Sequence, residues 1–198
     1  MGVEIERKFL VAADKLTYEV MHSPTVLIEQ GYLNLDKARC VRVRTVTYPI
    51  SEDISDKAFI TIKGKAKGIS RSEYEYSIPI GDALDMLELV EGDIVAKSRI
   101  RFGRWEVDIF HGHNEGLLVA EIELNSEDEI FEKPEWLGEE VSCDERFANI
   151  NLAKNPYCNW EDEKSLEEKY NQAFLNHMMK KHEQICEVMR PLPERPIC

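Results

Sequence analysis

Cysteine is sparse in this 198-residue chain: Cys40, Cys143, Cys158, Cys186 and Cys198 are odd in number and scattered. They lack metal-finger spacing and read as reduced thiols of a cytoplasmic protein. No apolar run approaches the roughly 20 residues a membrane helix requires, and the N-terminus has no signal-peptide layout. Internal repeats and low-complexity segments are lacking too, so the length reads as one ordinary globular domain able to bury a core. Positive charge is also in short supply, with 25 Lys and Arg against 38 Asp and Glu, a net −13. That balance excludes a nucleic-acid platform, which would show a basic surface. It does not exclude a small phosphate ligand, because the basic residues are concentrated in local rows.

Those rows are the informative feature. In Val3–Val11, Glu4, Glu6 and Lys8 share one face of a strand, since side chains alternate with a period of two. Two carboxylates about 7 Å apart on one strand face, followed by an ammonium, suit a divalent cation with an anion beside it. The device recurs. Arg42 and Arg44 alternate with Val41 and Val43, and Phe59, Thr61 and Lys63 alternate with Ile60 and Ile62. Glu73, Glu75 and Ser77 stand against Tyr74, Tyr76 and Ile78. Further on come the basic row Lys97, Arg99, Arg101 and the acidic rows Glu106, Asp108 and Glu121, Glu123.

An ordinary solvent face mixes Lys, Glu, Thr and Ser without such order. Rows of one sign per strand fit two arrangements. One is an outer face laced with cross-strand ion pairs. The other is a barrel of inverted pattern, apolar outside under helices and charged inside around a small, highly charged ligand. Arg and Lys grip phosphate, and carboxylates hold Mg²⁺ or Mn²⁺. A polyphosphate with divalent metals uses both sets.

Elsewhere the pattern predicts short helices over Asp14–His22 and Asp82–Val90, and a third from the capping-box spacing of Ser126–Glu129. Beyond Asn155-Pro156 the pattern changes. Residues 161–189 read as a charged helix with Leu166, Tyr170, Phe174 and Met178 spaced by four, closed by Pro191, Pro193 and Pro196. The expected division is a domain over 1–157 and a helical extension with a Pro-containing tail over 158–198. That helix can cover apolar surface, pack over one mouth of a barrel, or join two copies as a homodimer.

The ordered set of Glu-x-Glu-x-Lys, Arg-x-Arg, the Lys63 strand and two Glu-x-Glu strands resembles the CYTH domain, the triphosphate tunnel metalloenzymes. So do Glu29-Gln-Gly-Tyr-Leu33, Phe110-His-Gly-His113, Glu127-Asp128, Trp136–Val141 and Asp144–Phe147, and the resemblance runs from about Met1 to about Tyr157. It implies a mainly β (α+β) fold: an eight-stranded antiparallel barrel forming a tunnel with a charged interior and helices outside. By the same resemblance Glu4, Glu6, Glu121 and Glu123 hold a divalent metal, Mg²⁺ or Mn²⁺, while Glu73, Glu75 and Asp108 support a second. Lys8, Arg42, Arg44, Lys63, Lys97 and Arg99 match the basic residues gripping triphosphate, with Arg146 as a further phosphate contact. Lys8 and Lys97 are expected to stabilise developing charge, and Tyr32 to lie near the reacting centre. Arg71, Arg101 and Glu106 read instead as members of cross-strand salt bridges, and His111 and His113 as parts of a turn.

Hydrolysing a phosphoanhydride needs neutralised phosphoryl charge, an in-line water and a stabilised leaving group. The resemblance assigns the first to Arg and Lys and the polarisation of water to the metals. Among family activities, the segments quoted most resemble short bacterial tripolyphosphatases, so the expected reaction is metal-dependent hydrolysis of inorganic triphosphate. The alternatives are a class IV-type adenylate cyclase, a thiamine or nucleoside triphosphatase, and a non-catalytic polyphosphate-binding module.

Overall fold

The computed structural model describes residues 5–36, 39–49, 56–65 and 72–160. These form nine strands. The first five are β1 Glu6–Val11, β2 Thr25–Asn34, β3 Arg39–Thr47, β4 Lys57–Gly64 and β5 Glu73–Ile78. After them come β6 Glu91–Phe102, β7 Trp105–Phe110, β8 Leu118–Glu123 and β9 Leu137–Glu140. The α-helices are α1 Tyr18–Met21, α2 Ile80–Leu87 and α3 Asn149–Lys154. Every pairing is antiparallel, in the order β5-β4-β3-β2-β6-β7-β8-β1-β9. The mainly β fold with outer helices agrees with the expectation, but the strand count does not. Nine strands are present rather than eight, and among the described residues the hydrogen-bonded order does not close. The extra strand, β9, reads Leu-Gly-Glu-Glu and has no apolar row to announce it. It is held by pairing with Phe9 and Val11 of β1.

Burial follows the alternation within each strand. On β1, β7 and β8 the outward row packs as Phe9, Trp105, Val107, Ala120 and Ile122, joined by Trp136. Trp105 meets Phe9, Phe131 and Trp136 edge-to-face at centroid distances of 5.9, 5.7 and 5.5 Å, contacts worth about 1 kcal/mol each beyond the area they bury. On the other side α2 seats Ala83 and Leu87 against Val43 and Ala58. These two clusters lie on the outer face of the sheet, while the opposite face carries the charged rows together with further apolar clusters at their ends.

Local chemistry moves several helix boundaries. The 14–22 segment splits because Leu16 and Thr17 are extended, and Thr17 Oγ1 caps α1 by accepting from the Val20 N–H at 3.5 Å. The helix expected near Asp82 begins at Ile80, behind Pro79, and stops at Leu87. No helix forms at Ser126–Glu129. Glu129 instead accepts the Asn125 N–H at 2.6 Å and pairs with Arg104, while Ile130 is 97% exposed and supplies no apolar face. The 161–189 helix lies outside the described residues. Among those described, no helix is long and apolar enough to cross a membrane.

Two substitutions probe this frame. A Cβ at Gly31 would overlap Val90 Cγ1 and lie 3.0 Å from Val90 Cβ, so Gly31→Ala should cost about 1–3 kcal/mol in urea denaturation. Adding Val90→Ala should recover part of that loss. Arg7 bridges β1 to Glu140 of β9, and that hydrogen bond holds the Glu140 carboxyl below its ordinary range. A depressed carboxyl stabilises above its unfolded pKa, and the contribution disappears as pH falls through the folded value. Glu140→Gln should therefore cost about 0.5 kcal/mol at pH 7, as expected of a partly exposed pair. The difference from wild type should vanish in strong acid.

Candidate active site

The inward face of the sheet encloses a cavity of about 620 Å³ lined by residues of β1 to β8 and by Glu145 and Ala148–Asn151. Its described wall carries seven basic and seven acidic side chains. Each inward row is charged only over part of its length. At one end Leu10, Val95, Phe110 and Val119 pack with Tyr32 and α3, and at the other Val26, Ile28, Val46 and Phe59 pack together. The charged band lies between these two apolar ends.

Strand register sets which charges meet. On one side Lys8 stands opposite Glu121, and Glu106 also faces Glu121. Two carboxylates directly opposite would repel, but Arg99 lies between them. It donates to Glu106, to Glu121 at 2.7 Å and to both oxygens of Asp108 at 2.6 Å. Lys8 pairs with Glu121 and with Glu6, the latter at 2.9 Å. On the other side Arg42 reaches Thr61 Oγ1 at 3.0 Å and Glu75 at 3.3 Å, and Lys63 pairs with Glu73 at 2.9 Å. Burial opposes each charge, yet the pairs win. The Lys8 and Arg99 pKa values are raised by Glu121 and Asp108 respectively against that burial, and Glu121 is held well below the carboxylate range by Lys8, Lys97 and Arg99.

Arg44 sits between the two sides and is the exception. Its Nε and one Nη donate to Gln30 Oε1 at 3.2 and 3.0 Å, a neutral acceptor. Burial, with repulsion from Arg42 and Arg99, lowers its pKa to about 10. Arg42 Nε is also buried without a hydrogen-bond partner among the described residues. Three guanidinium groups thus converge on the cavity, and Arg44, held by a neutral amide, is the one with no carboxylate hydrogen-bond partner among the described residues.

A divalent cation fits the donor set. The wall offers carboxylate oxygens, the ligands of hard cations, and Glu6 stands directly opposite Glu123 across β1 and β8. Glu123 takes no ion pair among the described residues, so this like-charge couple lacks a second cation. No three His, Cys, Asp or Glu among the described residues form a ready cage. Mg²⁺ is commonly held by one or two carboxylates together with substrate phosphates.

Most of the residues singled out from the sequence reach this wall: Glu6, Lys8, Tyr32, Arg42, Arg44, Lys63, Glu73, Glu75, Arg99, Glu121 and Glu123. Three do not line it. Lys97 and Asp108 form a fully buried pair at 2.5 Å behind the wall, where Lys97 also reaches Asn149 Oδ1 at 3.4 Å and Phe110. Burial lowers the Lys97 pKa to about 8 despite Asp108. Arg146 pairs with Asp144 and lies over Trp160. Arg101 and Glu106 form the cross-strand bridge expected, at 3.5 Å. His111 and His113 flank the positive-φ Gly112, contacting Ser98 and Asp93. Glu4 and Arg71 lie outside the described residues. Gln30 and Asn149 were not singled out. Gln30 had a signal, since it alternates with Tyr32 and so shares its face. Asn149 had none.

Comparison with known proteins agrees with this geometry. The CYTH domain family model matches residues 2–153. An inorganic triphosphatase of Acetivibrio thermocellus is 47% identical over 167 residues, covering 82% of this chain and all of that protein. One from Nitrosomonas europaea is 36% identical over 160 residues, covering 76% of this chain and 96% of its own length. The crystal structure of the inorganic triphosphatase NE1496 superposes with a TM-score of 0.55 at 33% identity, over 77% of this chain and 95% of that one. With the family match spanning most of its length and the sheet curved around a charged cavity, the chain belongs to the CYTH domain family and has its tunnel fold.

Proposed function

We propose that this protein hydrolyses inorganic tripolyphosphate to pyrophosphate and orthophosphate inside the charged cavity, with Mg²⁺ or Mn²⁺ as cofactor. The observation that carries the reading is the convergence of Arg42, Arg44 and Arg99, with Arg44 set against a neutral amide. A multiply charged anion relieves that repulsion, and Arg matches phosphate oxygens through its planar donors. The names of the Acetivibrio and Nitrosomonas relatives support the choice of inorganic triphosphate.

Lys8, Arg42, Lys63 and Arg99 bind the phosphate oxygens by exchanging their carboxylate partners for substrate, and Arg44 binds them while held by the Gln30 amide. Glu4, Glu6, Glu121 and Glu123 hold the cation, with Glu73 and Glu75 freed from Arg42 and Lys63 as further ligands. When bound, such a cation neutralises phosphate charge and polarises water. Water oxygen attacks the terminal phosphorus, the bridging P–O bond breaks, and the arginines and Lys8 stabilise the charge that develops. Because the described wall is electrically balanced, a polyanion brings an uncompensated charge unless cations accompany it, which supports metal dependence. Lys97 and Asp108 act from behind the wall by holding Arg99 and Asn149. Residues 1–157 constitute the catalytic domain, a reading supported by the family match over residues 2–153, and Trp160 just beyond that boundary still packs against Phe147 and Tyr157. The thiols of Cys143 and Cys158, which form no disulfide among the described residues, support a cytoplasmic setting.

Phosphate release from tripolyphosphate with Mg²⁺ or Mn²⁺ should greatly exceed release from ATP, and Glu4→Ala should abolish it. Cyclic AMP or pyrophosphate from ATP would point to a cyclase, and binding without turnover to a sensor. A second experiment separates the wall from its support. Asp108→Ala leaves Lys97 and Arg99 buried without their shared counter-charge, so it should cost about 3–5 kcal/mol in urea denaturation. Glu75→Gln, at the half-open side of the cavity, should cost under about 1 kcal/mol.

A further inference from the structure

Gln30 is fully buried, with 0% of its surface exposed, and stands directly opposite Arg44 in the β2–β3 register. Its Oε1 accepts two hydrogen bonds from the Arg44 guanidinium, at 3.2 and 3.0 Å, and its Nε2 faces the Tyr32 hydroxyl at 3.3 Å. A guanidinium only donates, so the amide oxygen must face Arg44 and the amide nitrogen must donate to Tyr32. The orientation of this side chain is therefore determined by its neighbours. An arginine has five N–H donors, and Gln30 engages two of them.

We infer that Gln30 is a positioning residue for the phosphate-binding step: it aims Arg44 into the cavity while leaving the whole guanidinium charge to the substrate. This rests on the triphosphatase reading and adds a specific device to it. The other described phosphate-binding cations of the wall, Lys8, Arg42, Lys63 and Arg99, each have a carboxylate partner that substrate must displace. Arg44 has an amide, which fixes the same two N–H groups as a carboxylate would but neutralises nothing. A glutamate at position 30 would form a bidentate ion pair with Arg44 and compete with phosphate for it. A side chain of similar size without polar atoms would leave the guanidinium unaimed.

The test measures tripolyphosphate affinity by calorimetry and KM and kcat by phosphate release. It compares wild type, Gln30→Glu, Gln30→Met, Arg44→Met and the double variant Gln30→Met/Arg44→Met, with thermal melting as the check on folding. Gln30→Glu should weaken binding and raise KM by roughly ten- to a hundredfold, the range of one hydrogen bond to a charged group, with a smaller change in kcat. Gln30→Met should weaken binding, and the double variant should bind no worse than Arg44→Met, because Gln30 acts only through Arg44. Should Gln30→Met fail to fold, Gln30→Glu decides the matter, since it keeps the volume and the acceptor. Wild-type affinity in Gln30→Glu, or losses from Gln30→Met and Arg44→Met that simply add, would overturn the inference while leaving the triphosphatase reading intact. A wild-type protein that neither binds nor hydrolyses tripolyphosphate would overturn both, and that result is read before any variant is made.

Discussion

Opposite charges confined to one partly dry cavity must be paired, and the rest of the structure is arranged around that requirement. An unpaired buried charge costs several kcal/mol, far more than the net worth of a pair. Here the pairs run between strands: Lys8 with Glu121, Arg99 with Asp108 and Lys63 with Glu73 join neighbours, and Arg42 reaches Glu75 across β4. A one-residue slip would turn every inward charge outward and bring every outward apolar side chain into the cavity. The charges thus act as a register code. The outward core of Phe9, Val107, Ala120 and Ile122 supplies the stability that ion pairs of this kind do not.

The same pairs account for how the cavity can serve a polyphosphate and a metal together. Each ion pair consists of one group wanted by phosphate and one wanted by a divalent cation. Under the proposed reaction, substrate and metal entering together would exchange internal pairs for external ones without leaving a charge stranded. Either one alone would strip partners from the other's ligands. Glu121 illustrates this, since it accepts from both Lys8 and Arg99, and its release would free two cations at once.

Period-two alternation made the inward face legible, because a charged row and an apolar row on one strand are visible without a structure. Depth was not legible. Lys97 and Arg99 sit on the same row and looked equivalent, yet Lys97 is two residues nearer the apolar end where Phe110 and α3 close the cavity. Asp108 follows it there for the same reason. Strand β9 and helix α3 escaped because neither carries a periodic apolar row strong enough to show, and both are held by what they pack against. The capping-box spacing at 126–129 was real chemistry in a different setting, with Glu129 satisfying Asn125 and Arg104 in a loop. Gln30 escaped for another reason. It is neutral, so the rows of alternating charge do not mark it.

Net charge completes the picture. The described wall is balanced, so the chain's −13 resides on its other residues. A bare polyanion approaching such a surface is repelled over about a Debye length, roughly 8 Å at physiological salt. A polyanion already carrying divalent cations is repelled much less, and within the cavity it finds both sets of ligands it needs. The acidic exterior and the mixed interior therefore favour the same species, the metal complex of the substrate over the free anion.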